Sequence, residues 1–135
     1  TCTCGDVAAF STIAEAKAYT DKNQLYYLKG VVTYVSGKNV YIEDATGGIC
    51  VYFASAPSDI ALGDEIVVWD TMTTYNGLIE TTNTTELEYL KVSSGNTLPS
   101  QTVTIAQLLA DTTNTFGLAA LEAMTFFISE CFLHK

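Results

Sequence analysis

The segment NVYIEDATGGICVYF, residues 39–53, constrains the fold of this chain more than any other. Val40 and Ile42 share one parity while Tyr41 and Glu43 share the other, and beyond the D-A-T-G-G stretch Ile49, Val51 and Phe53 alternate with Cys50 and Tyr52. Successive side chains of a strand point to opposite faces, so this alternation describes two strands folded about a glycine turn with one face buried. With Thr46 and Gly47 as the turn, Tyr41 is expected directly across from Tyr52, both facing away from Val40, Ile42, Val51 and Phe53.

The same reading extends in both directions. STIAEAKAYT, residues 11–20, opens with a capping box in which Thr12 and Glu15 satisfy each other's backbone amides, and a short helix is expected there. LYYLKGVVTYV, residues 25–35, is rich in β-branched and aromatic types, with Gly30 as the expected bend or bulge and SGKN as the turn that follows. Gly63 and Asp64 lead into a strand from Glu65 to about Thr73, and Asn76 with Gly77 marks a second hairpin. These supply strands four and five. Residues 86–92 extend or follow the fifth, and SSGNTLPSQ, residues 93–101, reads as a linker.

Past the linker the opening of the chain returns in outline. Thr104-Ile105-Ala106-Gln107-Leu108 echoes Thr12-Ile13-Ala14-Glu15-Ala16, and TFFISECFL, residues 125–133, echoes LYYLKGVVT, residues 25–33. The chain therefore divides into residues 1–100, five strands with an N-terminal helix, and residues 101–135, a helix-strand extension resembling the start of a second repeat. So apolar a final strand needs a partner, and an edge of the first sheet lies within its reach. Self-docking is the expected arrangement, with exchange between two chains, or membership of a longer protein cut here, as the alternatives.

The order of these elements, with YLKGVVTYV, NVYIEDATGGICVYF, LGDEIVVWDTMTTYNGLIE and the later TIAQLL, resembles the OB-like domain of secreted bacterial nucleases and Bacteroides-type cell-surface proteins. The resemblance covers residues 12–110. It implies a mainly β, five-stranded OB-type barrel, an extracellular or cell-envelope location, and a binding module that accompanies another domain. Where an OB barrel binds, it uses the outer surface of strands two and three and the loops at their flanks. That surface would hold Tyr41 and Tyr52, with Lys38 and Asn39 on one loop and Tyr75 and Asn76 on the other. The resemblance implies a binding face and assigns it no ligand; aromatic rings there stack on bases or on the apolar face of a sugar, so an oligosaccharide or single-stranded nucleic acid is the ligand expected from the chemistry. Tyrosine is also an ordinary residue of half-exposed strands, and a spacer or protein-interaction domain, dimeric through the C-terminal strand, is the alternative.

Charge narrows these readings. The chain carries 15 acidic residues against six lysines and no arginine, a net charge of −9, whereas nucleic-acid affinity comes mainly from basic groups that neutralise phosphates. Glu43 and Asp44 beside Tyr41, with Lys38 as the nearby cation, favour a neutral glycan over a polyanion. No apolar run approaches the roughly 20 residues of a membrane span.

Catalytic chemistry is not expected. Glu43 with Asp44, and Asp64 with Glu65, are adjacent strand residues that point apart, and read as turn and surface charge. The single histidine, His134, is the penultimate residue. Cys2, Cys4, Cys50 and Cys131 match no zinc spacing, so no metal or cofactor is expected. A direct Cys2–Cys4 bridge would be strained, and Cys50 and Cys131 lie in apolar strands where a thiol behaves as a small buried hydrophobe. Trp69 is expected to pack on the sheet. The chain opens on Thr1 with no signal-peptide pattern, as in a processed or trimmed protein.

Overall fold

The computed structural model describes residues 10–99 throughout, and beyond them the backbone of residues 101–104 and 126–129. The helix α1 spans Ile13–Lys17, and the capping box is formed: Thr12 accepts from the Glu15 amide while Glu15 accepts from the Thr12 amide. Six strands carry the barrel, β1 (Tyr26–Ser36), β2 (Asn39–Glu43), β3 (Gly48–Tyr52), β4 (Glu65–Asp70), β5 (Met72–Tyr75) and β6 (Leu78–Thr81). A seventh, β7 (Tyr89–Ser93), adds to β4. Among the described residues no helix is long and apolar enough to cross a membrane.

The strand order is β5-β6-β3-β2-β1-β4-β7. The meander β1-β2-β3 is antiparallel, β4 returns antiparallel to β1, and β6 runs parallel to β3. This is the topology of an OB-type barrel. The hydrogen-bonded ladder is open, with β5 and β7 at its edges, but β4 and β5 are one strand bent at Thr71, so the chain itself links the β5 edge to β4, the strand next to the opposite edge. Asp70 makes the bend. One of its carboxylate oxygens accepts from the Thr71 amide at 2.7 Å, and the other accepts from the Asn83 amide and the Thr84 hydroxyl. The expected strand four thus becomes two, and residues 86–92 pair with β4 rather than extending strand five; these two changes turn five strands into seven.

Alternation places the core where the sequence put it. Val40, Ile42, Ile49, Val51 and Phe53 are buried, with Leu28 and Val32 from β1, Ile66 and Val68 from β4, and Ile13 and Ala16 of α1. Two details of β1 differ from expectation. Its register shifts between Val32 and Tyr34, so the irregularity lies at Thr33 and not at Gly30. Gly30 instead marks a close approach: a Cβ there would lie 3.0 Å from the Glu43 carbonyl oxygen and 3.1 Å from Ile42 Cβ.

The β2–β3 register also differs. Glu43 pairs with Gly48, leaving a four-residue connection in place of a two-residue turn. Asp44 organises it. Its Oδ1 accepts from the Thr46 amide, the Thr46 hydroxyl and the Gly47 amide, and its Oδ2 accepts from the Ile13 amide at 2.9 Å, tying the loop to the first turn of α1. Asp44 is therefore a structural cap. Glu43 and Asp64 are likewise not surface charge, being 2% and 3% exposed, and Asp64 pairs with Lys91 of β7 at 3.1 Å.

Two further strands, β8 (Gln101–Thr104) and β9 (Phe126–Ser129), pair in parallel as a separate two-stranded sheet. The final strand thus takes β8 as its described partner, and not an edge of the seven-stranded sheet. Gln101, placed in the linker by composition, begins β8. The helix expected near residue 105, together with Cys2, Cys4, Cys131 and His134, lies outside the described residues.

Candidate functional site

The outer face of the barrel is organised by one row of register partners. Tyr34 pairs with Tyr41, Tyr41 with Cys50, Cys50 with Glu80, and Glu80 with Thr73, crossing β1, β2, β3, β6 and β5 in turn. Partners directly opposite lie on one face, so all five residues belong to the side away from Val40 and Val51. Tyr41 and Tyr52 do share this face, as parity requires. They are not opposite one another: Tyr41 faces Cys50, and Asn39 faces Tyr52. The four-residue Asp44–Gly47 connection displaces the register by two residues, which preserves the face and changes the neighbour.

Tyr34 enters because of the irregularity at Thr33. Strict alternation from Leu28 and Val32 would send Tyr34 inward; the extra residue turns it out, where it is 56% exposed and meets Tyr41 edge to face at 5.8 Å. No residue type in the segment signals this, and the sequence alone does not identify Tyr34.

Below the tyrosines lies a screened polar pair. Cys50 is fully buried although it faces outward, and its Sγ donates to Asn39 Oδ1 at 3.5 Å. Burial pushes the thiol up to about 12, reinforced by the neighbouring Glu80 carboxylate. Glu80, 7% exposed, is also raised above the usual carboxylate range, again by burial, with the thiol's hydrogen bond partly offsetting it. Tyr41 and Tyr52 are only half-buried, so the middle of the face is a shallow aromatic surface over a buried thiol–carboxyl pair.

The flanking residues divide between the two ends of this strip. Lys38 is exposed in the β1–β2 turn, where Gly37 has φ +58°, and its carbonyl accepts from the Phe53 amide. Because β6 runs parallel to β3 with Glu80 level with Cys50, the Asn76–Gly77 turn lies at the Gly48 end and the Lys38–Asn39 turn at the Tyr52 end. Four residues of strand separate these ends, about 13 Å at 3.3 Å per residue. Asn76 (φ +50°) and Gly77 (φ +84°) make the tight β5–β6 hairpin, and Tyr75 beside them is 66% exposed. Lys38, Asn39, Tyr41 and Tyr52 are thus grouped, while Tyr75 and Asn76 bound the strip from its far end. Trp69 packs on the sheet, stacked on Tyr27 at 6.4 Å.

A separate concavity of about 610 Å³ lies under the β3–β4 connection, between Ala54–Asp59 and Thr85, Glu86 and Tyr89. The Tyr89 hydroxyl donates to Asp59 Oδ1 at 2.5 Å and its ring meets Phe53 edge to face at 5.2 Å. Burial, with Asp59 and Glu86 nearby, pushes that phenol up to about 12.

No protein-family model matches the chain, and no curated protein matches it. Among solved structures it is similar to the hypothetical protein YgiW of E. coli, with a TM-score of 0.48 and 17% identity over 63% of this chain and 91% of that one. It is also similar to the Stn1–Ten1 complex of S. pombe, with a TM-score of 0.44 and 11% identity over 52% of this chain and 59% of that one.

Proposed function

We propose that this chain carries a non-catalytic binding module whose outer face takes a neutral oligosaccharide weakly, in a protein of the cell envelope or extracellular space. The observation that carries this reading is the row Tyr34–Tyr41–Cys50–Glu80, an aromatic surface with a screened carboxyl beneath it. Aromatic faces stack on the C–H side of a sugar ring, and Asn39 and the tyrosine hydroxyls are hydrogen-bonding groups of the kind that engage sugar hydroxyls, while Glu80 lies buried beneath them. A polyanion suits the face less well. The β1–β2 turn brings Lys38 to this strip, while Lys91 is committed to Asp64 and Lys29 sits over the Phe10 ring. The location rests on the sequence resemblance.

A titration followed by tyrosine and tryptophan fluorescence tests the reading, using neutral hexasaccharides of glucose, xylose and mannose alongside a twelve-residue oligothymidylate at two salt concentrations. Saturable binding of a hexasaccharide, reduced at least several-fold by Tyr34→Ala, is expected. Binding of the oligothymidylate alone, weakening with salt, would move the assignment to single-stranded nucleic acid. The spacer reading has support of its own, since Tyr41 is partly spent on packing against Tyr34 and over Cys50. It prevails if neither ligand binds.

A further inference from the structure

We infer that β8 and β9 repeat the arrangement of the segment ahead of α1 and the start of β1, with β8 the equivalent of residues 10–11 and β9 the equivalent of β1. Two independent alignments of the sequence set the correspondence. The T-I-A motif at Thr12, which precedes α1, recurs at Thr104, an offset of 92, and the sequence of the strand from Leu25 recurs from Thr125, an offset of 100.

In the first copy the segment ahead of α1 lies along the start of β1. The Ser11 amide donates to the Tyr27 carbonyl at 3.0 Å. Phe10 lies exposed under Lys29 Nζ, 5.6 Å from its ring centroid, while Leu28 is fully buried, so Phe10 shares the face of Tyr27 and Lys29. That places Phe10 beside Tyr27 and Ser11 beside Leu28, a parallel register. Adding 92 to Ser11 gives Val103, and adding 100 to Leu28 gives Ile128. Val103 and Ile128 are register partners in the parallel β8–β9 sheet.

A slip of one residue in either alignment would break this agreement, and the connection between the paired segments is eight residues longer in the second copy, so local chain geometry does not impose it. The paired segments 101–104 and 126–129 therefore repeat the register in which the lead-in of residues 10–11 meets the start of β1. On β9 the pairing with β8 covers the position that Ser11 covers on β1.

The test replaces residues 11–28 of the full chain by a copy of residues 103–128, beside a control carrying the same replacement in shuffled order. The transplanted chain is expected to keep a cooperative thermal transition and dispersed amide resonances, which the shuffled control loses. In the unaltered chain the Val103 amide is expected to exchange at least tenfold more slowly than in a free peptide. A transplant that melts like its shuffled control, or a Val103 amide exchanging at the free-peptide rate, overturns the equivalence.

Discussion

Cys50 and Glu80 are register partners across the parallel β3–β6 ladder, a thiol and a carboxyl both screened from water on the outer side of the sheet. Burial raises the Glu80 carboxyl above 4.5, so between that pH and the higher folded value the native state holds a proton that the unfolded chain has released. Stability attributable to this group is therefore fully present below 4.5 and falls as pH rises through the higher folded value. Glu80→Gln, which cannot ionise, should remove that fall. Thermal melts of both proteins between pH 4 and 9 should diverge as pH rises, with the variant gaining; parallel curves would contradict the assignment.

The Cys50 thiol, fully buried and pushed up to about 12, should be inert at neutral pH, because the thiolate is the reactive form. Iodoacetamide treatment at pH 7.5 followed by peptide mapping should leave residue 50 unmodified in the folded protein and alkylate it in urea. Modification of Cys50 under native conditions would show that the tyrosine cover opens readily.

Core and outer face should separate cleanly by mutation. Val51 is fully buried, and Val51→Ala should cost about 1 to 3 kcal/mol as transfer and cavity terms combine. Tyr34→Ala removes a ring that is 56% exposed and one edge-to-face contact, for a loss of about 1 kcal/mol or less. Urea unfolding midpoints rank the two, and equal losses would mean that the outer face carries as much stability as the core.

Asp44 joins the β2–β3 connection to the helix through the amides of Ile13, Thr46 and Gly47. Asp44→Ala leaves those donors without their acceptor and should cost about 1 to 2 kcal/mol, the range of a lost helix cap. Asn retains one acceptor oxygen, so Asp44→Asn should recover part of the loss. Denaturant titration of the pair distinguishes a cap from a merely solvated loop charge, for which both variants would be neutral.

At Gly30 a methyl group would press on the backbone of Glu43, with 3.0 Å to its oxygen and 3.1 Å to its nitrogen. Gly30→Ala should therefore destabilise by about 1 to 3 kcal/mol, the cost of forcing β1 and β2 apart. A stabilised variant, seen as a raised melting temperature, would show that the two strands can yield at no cost.

Much of the fold was already set by local patterns. A period of two fixed which faces of β2 and β3 are buried, the capping box fixed the start of α1, and Asn76–Gly77 fixed the β5–β6 hairpin, because each depends on residues a few positions apart. Tertiary structure decided the rest. The β2–β3 connection is held both locally, by Asp44 on Thr46 and Gly47, and by Asp44 reaching across to Ile13, 31 residues away, which no short pattern encodes. Tyr34 joined the outer face through a one-residue irregularity at Thr33 that composition does not mark. Cys50 and Glu80, thirty positions apart, met only because β6 runs parallel to β3, and parallel pairing is set by the closure of the whole sheet rather than by a turn. In β2 and β3 parity thus comes from the sequence, while register and neighbours come from the tertiary structure, since a two-residue slip leaves every side chain on its proper face and changes every partner it meets.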